Sequence, residues 1–476
     1  MWFKKNTIKK KIEPVEKSAL IPNLIWATVF LLIIIIWFVL INYTHIFDFK
    51  IDNVKSLNPK SSKNQEQTII KEKEEQLKGK MNILIVWRWW GDHDAPDLTD
   101  TIILTSINSD SKTISMLSIP RDTYIQYPGT KKSFWKINWL YVKATHENKS
   151  KKIWMEKLKD KITEMTGEKI DYYANVDFEW FKKIIDTIWW VEIDVAENFI
   201  DDRYPDWNWW YKTLVFKKWV WTFDWDNALK YARSRHSTSD FDRSNRQQIV
   251  IKAIKDKLTW SYFLTSPLKV NALYKVFKEY VDTDITLSNI LKISYTLKAK
   301  WDYKIVSSNL NNSCFYWSFS CEKWGFLYTP ERSAFWWMSV QLVEWTDIKN
   351  LNDFEILNKF TDIVFNNPKV YTENYKINVF NGTKKSNTAS KISDDLIRYW
   401  FNIPEKNSIW NADKIYENSI IYYNWISSNS DTIKALKKLF TWEFKKTDLP
   451  YFSTDSAKIE IVIWEDFKWE ENPFKF

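Results

Sequence analysis

Glycine is what this chain most lacks. Soluble proteins run at about 7% glycine, roughly 33 residues at this length, yet the 476 residues include 6. Tryptophan stands at 31, so the deficit in one residue nearly equals the surplus in the other. The indoles fall where a turn asks for a residue free to take positive φ. Examples are VWRWWGDHD after the apolar run MNILI, IWWVEIDV at 188–195, DWNWWY at 206–211, KWVWTFDWDNA at 218–228 and FWWMS at 335–339. The reading adopted is that most of these tryptophans are glycines in the living protein. UGA is a stop in the standard code, tryptophan in one variant code and glycine in another. A chain truly rich in tryptophan, as on some sugar- or membrane-binding surfaces, is the alternative.

Cysteine is nearly absent as well, with only Cys314 and Cys321 in NNSCFYWSFSC. No second pair or nearby histidine completes four ligands, which argues against a metal there. Outside the membrane a short-loop disulfide is expected, with free thiols as the alternative. A strong charge of one sign is also missing. The net +9 is spread among 60 acidic and 69 basic residues, too diffuse and mixed to indicate a nucleic-acid partner. No solenoid repeat is visible.

Lys, Arg, Asp and Glu are absent from Ser18 to Phe47, a run long enough for a bilayer, which takes about 20 residues. The run is too long for a signal-peptide core, and no small-x-small cleavage site follows. Lys4, Lys5, Lys9, Lys10, Lys11 and Lys17 precede it, so the positive-inside tendency keeps the N-terminus cytoplasmic and exports the rest. The expected organisation is a basic tail at 1–17, a single transmembrane helix at 18–43 and a polar tether at 44–78. A main domain at 79–345, a linker at 346–372 and a C-terminal domain at 373–466 follow.

In the main domain MNILIV, DTIILTSIN, TISMLSI and VEIDV read as strands. WMEKLKDKITEMTG, DFEWFKKIIDTI, WDNALKYARSRHS and SNRQQIVIKAIKDKL have helical period. The alternation predicts an α/β layered domain. YKINVFNG, ASKISDDLIRYWF, SIIYYN, DTIKALKKLF and AKIEIVIWEDF predict a second, smaller α/β domain.

Three clusters could carry chemistry. Asp92, Asp94, Asp97 and Asp100, with His93, lie after the first core strand; such a loop can hold a hard divalent cation or be a solvated acidic turn. Arg121 and Asp122 follow Ile-Pro at a strand end, as a structural ion pair or a ligand contact. YARSRHSTSDFDRSNRQQ gathers Arg233, Arg235, Arg243 and Arg246 around Asp240, Asp242 and Gln247. Guanidinium forks take two phosphate oxygens at once and stay charged when partly desolvated, which suits a pyrophosphate. A basic helix end for lipid headgroups is the alternative.

With NILIV, DTIILTSIN, LSIPRDTYIQYPG, KIN, YANVDFEWFKKIID, VEIDV and LKYARSRHSTSDFDRSNRQQ in order, the chain resembles the LytR-CpsA-Psr family of cell-wall glycopolymer ligases. Reading Trp as Gly improves the match at nearly every motif. The 375–466 segment resembles the family's C-terminal accessory domain. The resemblance implies a layered αβα domain on a central mixed sheet. It also implies transfer of a glycan, as a phosphodiester, from a polyprenyl pyrophosphate carrier to a peptidoglycan hydroxyl at the outer face of the membrane. Carried over by position, Asp100 would hold Mg²⁺. Arg121, Arg233, Arg235 and Arg243 would grip the pyrophosphate beside Asp240 and Gln247, and Asp122 would be a base or an arginine orienter. Two positions depart from the pattern: Trp89 stands where the family has an Asp, and Leu98 where it has an Arg. Asp92 or Asp94 could supply the missing carboxylate. A hydrolase of the same lipid and a non-catalytic wall- or lipid-binding protein are the rival readings.

Overall fold

The structure is a computed structural model. It describes residues 78–88, 98–130, 133–146, 150–205, 211–234, 303–312, 325–344, 346–404, 409–412, 418–450 and 458–467, with short pieces between 246 and 296 and at 314–315 and 320–321. The expected tail, transmembrane helix and most of the tether lie outside the described residues. Among the described residues no helix is long and apolar enough to cross a membrane.

In chain order the first part contains β1 (Lys80–Arg88), β2 (Thr99–Asn108), β3 (Thr113–Ile119), β4 (Tyr124–Gln126) and β5 (Phe134–Lys136), then α1 (Leu140–His146) and α2 (Lys151–Thr166). It continues with β6 (Tyr172–Asp177), α3 (Phe178–Ile188), β7 (Val191–Val195), β8 (Phe199–Pro205), β9 (Tyr211–Phe216), β10 (Trp219–Phe223) and α4 (Trp225–Arg233). Strands β11 (Val281–Thr283), β12 (Lys304–Asn309), β13 (Cys314–Phe315), β14 (Ser320–Cys321), β15 (Leu327–Tyr328) and β16 (Leu342–Val343) follow.

Six of these strands form the central sheet, in the order β11-β6-β1-β2-β3-β12. The sheet is mixed: β2 is antiparallel to both β1 and β3, while β1–β6 and β3–β12 are parallel. β1 is buried along nearly its whole length because both faces are covered, so it reads as a continuous apolar run. Leu84, Val86, Ile102 and Leu104 pack on one side with Tyr141, Trp154, Leu158 and Ile162 of α1 and α2. Ile83, Ile85, Ile103 and Met116 pack on the other with Ile184 and Ile185 of α3 and Tyr231 of α4. The result is the expected layered α/β domain.

The C-terminal part contains α5 (Glu355–Asn366), α6 (Val370–Glu373), β17 (Ile377–Asn381), α7 (Thr388–Arg398), β18 (Ile409–Asn411), β19 (Ile420–Tyr423), α8 (Asp431–Leu439), β20 (Glu443–Lys446) and β21 (Ile459–Ile463). Its five strands form one sheet, β18-β17-β21-β19-β20. The segment expected to be a linker at 346–372 differs from that expectation: it carries α5, with Ile356, Leu357, Phe360, Ile363, Val364 and Phe365 buried. Those side chains belong to the same apolar cluster as Leu158 of α2 and Ile377 of β17. The polar residues between them on the outer helix face gave the stretch its linker-like composition. A buried ion pair crosses the same seam, from Arg398 of α7 to Glu344 just after β16, with the guanidinium 4.4 Å from the Phe326 ring centroid.

Turn geometry bears on the missing glycines. Among the described residues eight non-glycine positions have positive φ, and five of them are Trp189, Trp336, Trp337, Trp400 and Trp425. Trp400 follows α7 at φ 73°, with its N–H on the Ile397 carbonyl (2.9 Å) and the Phe401 N–H on the Leu396 carbonyl (3.0 Å). Those two bonds are the Schellman pattern, whose left-handed residue is usually glycine. Gly167 ends α2 in the same region at φ 68°.

Two outcomes are expected. Arg398→Ala should destabilise the protein by about 3–5 kcal/mol in urea unfolding, because Glu344 is left buried and charged; the double variant Glu344→Gln/Arg398→Met should recover most of the loss. Trp425 is 83% exposed at φ 57°, so Trp425→Gly should raise stability by about 0.5–1 kcal/mol in the same measurement.

Candidate functional site

Strand direction places the candidate residues. Since β1, β3 and β6 run the same way, Arg88, Ile119 and Asp177, their last residues, and Thr99, the first of β2, share one edge of the sheet. With strands about 4.8 Å apart, β1 and β3 are roughly 10 Å apart at this edge, with the start of β2 between them.

Beyond β3 the chain turns at once. Thr123 donates its N–H and its hydroxyl to the Pro120 carbonyl, at 3.1 and 2.7 Å, which sets Arg121 and Asp122 at the tip. The Asp122 carboxylate takes Lys136 Nζ at 2.6 Å and lies 3.9 Å from Arg121 Nε. Lys136 ends β5, which pairs with β4. The Asn138 N–H reaches the Arg121 carbonyl at 3.4 Å. Asp122 is thus held between two cations, a geometry suited to orienting the arginine.

At the β1 and β6 ends a buried polar group was not legible in the sequence. Arg88 is 1% exposed, its Nε donates to Asn175 Oδ1 at 3.1 Å, and its guanidinium lies 4.4 Å from the Tyr141 ring centroid. Asp177 is its neighbour in the ladder and Thr99 its partner on β2. All are buried, as is Asn138, one helical turn before Tyr141. The only sequence signal was a charge closing an unbroken apolar strand. Thr99 Oγ1 and Asn138 Oδ1 are buried without a hydrogen-bond partner among the described residues.

The third component is the end of α4. Asp224 caps its start by accepting from the Asn227 N–H at 2.9 Å, and Arg233 is its last residue. β7 is antiparallel to β10, and Ala228, Tyr231 and Ala232 of α4 share one apolar cluster with Ile184 and Ile185 of α3 and Trp87 of β1. Arg246, grouped by sequence with the other arginines, has a structural task. It is buried, donates to the Tyr231 and Ser234 carbonyls, and stacks 4.6 Å from the Phe199 ring centroid. It satisfies carbonyls that the helix end leaves open. Burial pushes the neighbouring Tyr231 phenol up to about 12 against the opposing effect of Arg246, so it stays neutral.

Of the other expected site residues, Asp92, Asp94, Arg235, Asp240, Arg243 and Gln247 lie outside the described residues. Asp100 and Arg233 are placed by backbone only, beside Thr99 and at the α4 terminus. Cys314 is disulfide-bonded and faces Cys321, the chain's only other cysteine, across the β13–β14 ladder.

The chain is 28% identical over 221 residues to the polyisoprenyl-teichoic acid–peptidoglycan teichoic acid transferase TagV of Bacillus subtilis, covering 46% of this chain and 53% of that one. It is 29% identical over 196 residues to the transferase TagU of Bacillus licheniformis, covering 41% and 56%. The chain spans about half the length of these curated relatives. The crystal structure of Bacillus subtilis TagV superposes with a TM-score of 0.40 at 24% identity, covering 60% of this chain and 97% of that one. The LytR_cpsA_psr family profile matches residues 45–325, more than half of the sequence, and the chain therefore belongs to the LytR-CpsA-Psr family.

Proposed function

We propose that this protein is a membrane-anchored phosphotransferase that works outside the cell. It moves a glycopolymer from a polyprenyl pyrophosphate carrier to a peptidoglycan hydroxyl. The observation that carries this reading is the half-exposed Arg121, held by Asp122 beside Lys136 just beyond the sheet edge where β1 and β6 also end. The family membership and the names of the curated transferases support it.

In the reaction the acceptor hydroxyl oxygen attacks the phosphorus that carries the glycan, and its proton passes to a carboxylate such as Asp122 and from there to the departing phosphate. The new P–O bond gives the phosphodiester, the bond to the bridging oxygen breaks, and polyprenyl phosphate leaves. Negative charge grows on the bridging oxygen, and fixed guanidinium groups are suited to offset it without reorganising. Arg121 would act on that charge, and Asp122 with Lys136 would fix its direction. Arg233, Arg235 and Arg243 would share the diphosphate, with Asp240 and Gln247 beside them. Residues at the start of β2 fit a hard divalent cation such as Mg²⁺, since Thr99 Oγ1 and Asn138 Oδ1 are buried oxygens without a partner among the described residues and such ions take oxygen ligands. Asp100, with Asp92 or Asp94, would hold the ion, which would add positive charge at the phosphates.

The anchor would be the charge-free run from Ser18 to Phe47, with the N-terminus cytoplasmic. An extracellular position agrees with the disulfide at Cys314.

With labelled lipid-linked glycan and peptidoglycan fragments, the expected product is a covalent conjugate. Release of free glycan phosphate alone would replace this reading with hydrolysis, and no turnover with any divalent ion would favour a binding protein. Arg121→Ala should lower transfer by about a hundredfold or more with an unchanged melting temperature; Arg121→Lys should recover only a small part, because an ammonium lacks the planar fork.

A further inference from the structure

Four indoles crowd the flank of Asp122. Trp135 lies one residue before the Lys136 that holds Asp122, and Trp139 one residue after the Asn138 whose N–H reaches Arg121. The Trp135 and Trp336 rings stack with centroids 6.1 Å apart, and Trp135 meets Trp139 edge-on at 6.0 Å. Trp337 follows directly. The loop carrying Trp336 and Trp337 is bound to the same segment, since the Gln341 N–H donates to the Asp122 carbonyl at 3.0 Å and the Tyr124 N–H to the Gln341 carbonyl at 2.8 Å. The Phe335 ring meets Tyr124 edge-on at 5.1 Å.

Two features mark these indoles as misfits. Trp336 and Trp337 are consecutive residues at φ 48° and 62°, a left-handed pair that side chains with a Cβ resist and glycine adopts freely. Their rings are 71% and 78% exposed, so little packing holds them there. The Trp135 indole N–H is buried with no acceptor among the described residues, although buried indoles ordinarily find one. Exposed tryptophans beside a site could instead be a stacking platform for sugars. Such a platform would confine the anomaly to the binding surface. Trp189, Trp400 and Trp425 show the same positive φ at turns elsewhere, two of them in the C-terminal part, which ties the pattern to backbone geometry.

We propose that positions 135, 139, 336 and 337 are glycine in the working chain, and that the surface they form beside Asp122 is an open groove for the acceptor, a polyhydroxyl glycan strand. This rests on the transferase reading above. Without the rings the 336–338 turn lies open: its N–H groups stay on the Arg332 and Phe335 carbonyls, its own carbonyls can accept from sugar hydroxyls, and the strand can bring a hydroxyl towards Arg121.

The test compares two chains in vesicles, one carrying the four tryptophans and one with Trp135→Gly, Trp139→Gly, Trp336→Gly and Trp337→Gly. The donor is a lipid-linked glycan and the acceptor a soluble peptidoglycan fragment. The glycine chain should show a KM for the acceptor lower by about tenfold or more, about 1.4 kcal/mol in binding, with the KM for the donor unchanged. The pair Trp336→Gly/Trp337→Gly, whose rings are exposed, should show part of the gain and melt no lower than the tryptophan chain. A higher acceptor KM would make the indoles a sugar platform and overturn the proposal, as would an unchanged one. If neither chain transfers, the transferase reading fails by itself. The glycine assignment is then decided by the mass of the Ser333–Lys349 tryptic peptide from the native source: glycine masses uphold it and tryptophan masses overturn it.

Discussion

Because β2 is the antiparallel partner of both β1 and β3, those two strands run in register of direction and release their chains at one edge. β6, parallel to β1, adds a third exit there. Everything the site uses follows from this. A guanidinium at the end of β1 and a turn with two opposite charges beyond β3 share that edge without being adjacent in sequence. Had β2 been parallel to its neighbours, the connections into and out of it would have needed long crossovers.

Electrostatics then divides the arginines by what surrounds them. Arg121 stays half exposed beside Asp122 and Lys136, where a charged ligand can still be met. Arg88 and Arg246 are buried, with aromatic rings against their planes and carbonyl or amide oxygens on their edges. A buried guanidinium needs that many partners because its charge is costly away from water. These two therefore hold strand and helix ends in place, whereas Arg121 keeps its guanidinium accessible.

Much of this was legible in the sequence. β1, β2, β3 and β7 stood out as short apolar runs, and α2, α3 and α4 through their helical period, because burial on one or two faces imposes those patterns directly. The Arg121–Asp122 turn was visible as charge after Ile-Pro. Arg88 was not, since one charge next to a loop looks solvated until the ladder sets Asn175 and Asp177 beside it. The structural task of Arg246 was hidden for a related reason: four arginines within fourteen positions read as one cluster, whereas Arg246 is turned inward onto the carbonyls at the end of α4. The buried helix α5 passed for a linker because its apolar face contacts two different domains, and sequence periodicity does not reveal what a face will meet.

That helix has an evolutionary consequence. Phe360 and Phe365 belong to an apolar mass shared by the central sheet's helices and the C-terminal strands, and Glu344–Arg398 closes the same seam. A gene shortened after β16 would yield a protein with this oily flank bare, prone to clump with its copies. The C-terminal part is therefore poorly suited to trading between genes as a detachable cassette, and the two halves are expected to have diverged together.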